Sequence, residues 1–195
     1  MNHSRKLRLS AVLVLVASAA ITLVATASGG GQLFRESIDE TEIFVEEDFC
    51  GVDGLTVEFA RDTVGAVHAV PHGEDGLVYF GFNLKVTEVV TNLANDNFVT
   101  SSATIRDKDQ RVTDNGDGTL TVLVLATGNA VLYGPDGKAI ARNPGQIRYE
   151  VLIDHGGTPS DPSDDEFIEF LGDVRESTGR TDDYCAASLP ILLGS

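Results

Sequence analysis

Residues 111–127 read RVTDNGDGTLTVLVLAT. A polar arm enters the turn Asp114-Asn115-Gly116-Asp117-Gly118, and an apolar run over 120–126 leaves it. Asn-Gly and Asp-Gly steps favour tight hairpin turns, because these residues tolerate the positive φ such turns need. The stretch therefore predicts two antiparallel strands.

The neighbouring segments repeat this formula. Residues 42–49 alternate, with Ile43, Val45 and Phe49 on one expected face, and residues 55–61 place Leu55, Val57 and Phe59 together. A shorter apolar piece covers 64–70 and ends in the loop 71–76. Residues 77–92 give the longest strand signal, with Val78, Phe80, Phe82, Leu84, Val86 and Val90 on one side; the period of two, the β-branched content and the internal Gly81 disfavour a helix. Gly81 is the place where so long a strand would bend. Further strands are expected at 98–107, 110–114, 119–127, 130–133, 138–142 and 146–155, with turns at 107–110, 128–129, 134–137 and 143–145. Residues 166–174 fit either a strand or a helical turn or two. Residues 178–195 are expected to be a tail held by Cys185.

About nine or ten strands with few or no helices predict an all-β domain. Mostly short connections favour an antiparallel meander, and a meander loses its exposed edges by closing into a β-barrel. A β-sandwich is the alternative.

The N-terminus reads as an export signal over 1–27. Arg5, Lys6 and Arg8 precede an apolar run over 10–24, and Ala25-Thr26-Ala27 fits a cleavage site. The run is short for a membrane span, and no cysteine near the cleavage site offers a lipid attachment point. Residues 28–41, opening with Gly29-Gly30-Gly31, are expected to form a flexible tether, and 42–195 the barrel. The expected location is secreted, with no membrane association after cleavage.

The signal holds three of the 14 basic residues and none of the 30 acidic ones, so the remainder carries 11 against 30, a net charge of −19. Such a surface repels nucleic acid and anionic lipid as a whole, which excludes those partners at this stage. Cys50 and Cys185 are the two cysteines. In an oxidising compartment they are expected to pair, tying the first strand to the C-terminal segment.

Candidate chemistry is sparse. In the opening turn, Thr113, Asn115 and Asp117 fall at the first three ligand positions of an EF-hand register, but Val124 falls where a bidentate Glu is required, so a plain hairpin is favoured. Asp161, Asp164, Asp165 and Glu166 crowd one loop and are the candidate Ca²⁺ ligands. His68 and His72, with Glu74 and Asp75, are a metal candidate interrupted by Pro71. Following the strand faces, Glu47, Glu88, Arg61 and His155 continue apolar faces inward, and Tyr149 would line the mouth. A polar patch of Glu88, His155 and Arg61 in an apolar cavity is the make-up of a small-ligand or acid/base site. The competing reading makes these residues strand ends reaching water.

Three segments, NGDGTLTV (115–122), GPDGK (134–138) and DHGGTPSDPSDDEF (154–167), together with the cysteine pair, resemble a group of uncharacterised secreted proteins from actinobacteria. That resemblance implies export and carries no activity. At fold level the strand pattern is similar to small barrels of the allene oxide cyclase-like, dirigent-like and lipocalin-like kinds, with no motif matching residue by residue. The function expected is therefore non-enzymatic: binding a small apolar ligand, or acting as an extracellular accessory protein. One alternative is an isomerase- or cyclase-like enzyme using Glu88 and His155, and another is a Ca²⁺-stabilised acidic surface protein. No cofactor other than Ca²⁺ is expected.

Overall fold

The computed structural model describes residues 33–177 and 179–194; the expected export signal lies outside them. Seven antiparallel strands form one sheet in sequence order: β1 (Phe34–Glu46), β2 (Val57–His72), β3 (Leu77–Asn92), β4 (Phe98–Asp114), β5 (Thr119–Tyr133), β6 (Ala139–Asp154) and β7 (Glu166–Arg175). One helix, α1 (Tyr184–Leu193), follows. The meander is as expected. The sheet is open, because β1 and β7 each pair with one neighbour, and among the described residues there is no second sheet to make a sandwich. Among the described residues no helix is long and apolar enough to cross a membrane.

The strands are fewer and longer than the turn signals implied. Residues 107–110, 128–129 and 143–145 lie inside β4, β5 and β6. The reason is visible across the sheet. Ile38, Gly65, Leu84, Ile105, Gly128 and Gly145 face one another in a single row on one face. None of these three glycines has a positive φ. They are small because neighbouring chains come close: a side chain at Gly65 would overlap the carbonyl oxygen of Asn83, and one at Gly128 would lie 2.7 Å from that of Thr104. Glycine here marks a line along which the sheet coils. At 107–110 the irregularity is a bulge between Asp109 and Arg111, which keeps Val112 on the buried face.

The opening stretch forms the expected hairpin. Asn115 N–H donates to the Thr119 carbonyl, and the Asp114 and Asp117 carboxylates accept from Gly116 and Thr119 N–H.

β1 departs from its predicted span and face. It starts at Phe34, so residues 34–41, expected in the tether, are strand paired with β2. Phe44, not Ile43 or Val45, turns inward and stacks on Phe59 with ring centroids 4.8 Å apart. Asp48 and Cys50 take left-handed backbone (φ 51 and 55), which breaks the alternation and brings Phe49 into the core by a turn. Glu47 is exposed.

The tail is held by Cys185 as expected, and it carries a helix that the strand pattern did not indicate. Asp183 accepts from Ala186 N–H at the start of α1, and Gly194 ends it at φ 73. Leu192 is fully buried against Phe49, Val57, Phe59, Val90 and Val99. Its carbonyl accepts from the amides of Asn92, Asn95 and Asn97 at 2.9, 3.0 and 3.4 Å. The Cys50–Cys185 disulfide forms and fastens the helix to the end of β1, with Cα atoms 5.6 Å apart. A second core cluster, Val112, Leu120, Val122 and Val124, fills the other end of the inner face.

Candidate functional site

The inner face holds three separate polar groups. Near α1, register places Arg61 of β2 opposite Glu88 of β3. Arg61 Nε donates to Glu88 Oε1 at 2.6 Å, and Ser101 Oγ donates to Oε2 at 3.1 Å. Glu42 lies 3.5 Å from the guanidinium, which sits 4.9 Å from the Phe44 ring centroid. Burial pushes the Tyr184 phenol well above its ordinary range, with the charges of Glu88 and Glu46 adding to it. Arg61 and Glu88 meet as their shared strand face required, but both Glu88 oxygens are engaged. The arrangement holds β2, β3 and β4 together more readily than it abstracts a proton.

The second group was expected to be a turn. Asp107 and Asp109 follow Ile105 on the inner face of β4, and register carries Asp109 through Val124 to Tyr149 on β6. Here β3 and β4 diverge, since their pairing ends at Gly81 and Lys108. Phe80 N–H donates to Asp109 at 2.7 Å, and Val112 N–H donates to the Tyr79 hydroxyl at 3.2 Å, so side chains fill the gap in the ladder. Burial raises Asp109 to about 7; the Phe80 N–H opposes this and the Asp107 charge adds to it. Burial raises Asp107 to about 6 against a hydrogen bond from Tyr149. Tyr149 is pushed above its ordinary range by burial and by both carboxylates. One Asp107 oxygen is buried without a hydrogen-bond partner. Two carboxyls so placed can hold a proton near neutrality, the property of an acid/base pair. The alternation Ile105-Asp107-Asp109 was the available signal, masked by the turn-like composition around it.

His155 belongs to the third group, at the far end of β6. It is buried, with Nε2 4.0 Å from Asp114 and Nδ1 without a partner. Asp165 is raised to about 6 by burial and then by Asp164, with His155 opposing. The rest of the acidic loop serves local turns: Asp161 accepts from Ser163 N–H, Asp164 accepts from the Thr158 hydroxyl at 2.9 Å, and Glu166 opens β7. Among the described residues, no three His, Cys, Asp or Glu side chains gather to hold a metal ion. His68 lies over Gly81, while His72 packs on Tyr79 with ring centroids 4.7 Å apart.

Glu88 and His155 do not converge. Register takes Glu88 through Ser101 and Leu132 to Ala141. His155 lies fourteen residues further along the chain, one past the end of β6, roughly 45 Å at the rise of a strand. Two open grooves lie on the outer face instead. One, of about 460 Å³, is lined by Arg35, Ser37, Gly65, Ala66, His68 and Asn83. The other, of about 220 Å³, is lined by Thr104, Arg106, Thr127, Gly128 and Asn129. No family model, curated protein or solved structure matches the chain.

Proposed function

We propose that the chain is a secreted accessory protein, without catalysis of its own, that acts through the outer face of its sheet. One observation carries this reading: the inner polar groups are separated and largely bonded to one another, while the grooves open outward. The disulfide is consistent with an extracellular location. We further propose a barrel-like body. Phe44 on β1, and Phe167 and Phe170 on β7, are partly exposed at the two free edges, where closure would cover apolar surface. With seven alternating strands these edges run the same way, so the closing pair would be parallel.

Native mass spectrometry of protein taken from its own culture medium tests the reading. The expected result is the mass of the processed polypeptide alone. A small apolar molecule retained under gentle ionisation would overturn it and restore an interior ligand site.

A further inference from the structure

The outer face gathers positive charge that the composition conceals. Arg35, Lys85, Arg106 and Lys108 are all exposed there, with His68 among them. Arg35 pairs with His68, His68 with Gly81, and Gly81 with Lys108. In the adjacent row, Ser37, Ala66, Asn83, Arg106 and Thr127 follow one another across five strands. The next row places Lys85 beside Thr104 and Asn129. At ordinary strand spacing and rise, the basic residues fall within a band roughly 15 Å on a side. Both outer grooves open along its middle row.

These cations form no ion pairs. Among the described residues, none of Arg35, Lys85, Arg106 and Lys108 is ion-paired. On this face Asp39 of β1 stands in the row of Lys85, and Asp62 of β2, which accepts from the Thr41 hydroxyl at 2.8 Å, in the row beyond it; Glu150 is held by Arg111 at 3.2 Å, and β5 contains no charged residue. In a chain of net charge −19 after the signal, four unpaired cations on one face form a built-in exception.

We infer that this band binds a linear acidic polysaccharide. The cations are spread over three rows instead of converging, which suits a polymer more than a compact anion. Hydroxyl and amide side chains (Ser37, Asn83, Thr104, Thr127 and Asn129) stand between them, matching a chain that carries hydroxyls between its charges. The groove linings contain no Phe, Tyr or Trp on which bases would stack, which disfavours single-stranded nucleic acid. The charge distribution also sets an unusual salt dependence. At about 10 mM salt the screening length is about 30 Å and the polymer meets the repulsion of the whole chain. At about 100 mM it is about 10 Å and the band acts locally. Affinity therefore passes through a maximum at intermediate salt, where a uniformly basic protein would show a steady fall.

Titration of the chain from residue 28 with polygalacturonate as probe tests this. Neutral dextran is the control; polyphosphate and a single-stranded oligonucleotide are the competing anions. The expected result is polygalacturonate binding with a salt maximum and no dextran binding. The double variant Arg106→Glu/Lys108→Glu should lose about tenfold or more in affinity at unchanged Tm, while Lys138→Glu, in a turn outside the band, binds as before. If the double variant fails to fold, Arg35→Glu/Lys85→Glu takes its place. Absence of polygalacturonate binding, undiminished binding by the reversed variant, or tighter binding of polyphosphate or the oligonucleotide overturns the inference. The inference rests on the outer-face reading above. A retained interior molecule would remove that reading, whereas these outcomes decide the band by itself.

Discussion

At Asp109 a carboxyl group is held where ionisation is costly, and this sets a pH dependence. Its pKa is about 7 in the folded chain against an ordinary 3.8. Between these values the folded chain holds more protons than the unfolded one, so stability falls as pH rises from about 4 to about 7 and then levels. Asp107 and Asp165, both raised to about 6, act in the same direction. The lowered, exposed carboxyls Asp117, Asp136, Asp161 and Asp182 lose their small contribution only below that window. Asp109→Asn keeps an oxygen to accept from Phe80 N–H and removes the charge. It should stabilise the protein at pH 8 by about 2–4 kcal/mol and flatten the decline. Urea melts at pH 4.5 and 8 check this; equal stabilisation at both would rule out charge as the cause. Sequence patterning reached Arg61 and Glu88 because each interrupts an otherwise apolar face. It missed Asp107 and Asp109 because a D-x-D pair beside Lys and Gln has the composition of a turn, and composition cannot report that both neighbours continue as sheet.

At the scale of elements, strand number was misread for a related reason. Gly128-Asn129 and Asn143-Pro144-Gly145 carry turn residues, but the register sets them side by side in the middle of β5 and β6. A glycine that permits chain reversal and one that permits close approach look identical in one sequence; pairing between strands separates them. The two roles should separate in mutants. Gly65→Ala, directed into the Asn83 carbonyl, should cost about 3 kcal/mol or more. Gly116→Ala, at φ 74 with open space around it, should cost about 1–2 kcal/mol. Equal losses in denaturant midpoints would contradict a coiling role for the central row. The free edges are also managed differently. β1 is studded with Glu36, Asp39, Glu40 and Glu42, and β7 is irregular, with three register shifts against β6. Both devices discourage strand addition.

For the molecule as a whole, the two cysteines were the most legible long-range feature, since two cysteines have one way to pair internally. Their bridge spans 135 residues and secures a helix that no sequence pattern announced. Alternation says nothing about a ten-residue helix whose burial depends on an anchor. The Cys50→Ser/Cys185→Ser variant should lose on the order of 4–5 kcal/mol, less any strain, and expose the end of the core that Leu192 covers. Thermal melts with dye binding to apolar surface measure both effects; an unchanged Tm would show that the helix holds without its tether. Charge was the least legible property at this scale. A total of −16 describes the far field, but strand pairing decides which residues share a face, and the basic band on the outer face runs against the average.

The same bridge determines how the protein bears a mechanical load. Tension between the termini passes along β1, crosses at Cys50 and Cys185, and leaves through α1. The six strands from β2 to β7 lie inside the covalent loop and carry none of it. Under traction by a cell-surface fibre or a translocating motor, β1 and the last helix would be drawn out while the rest of the sheet stays slack, a body clipped at its two ends and shielded between them.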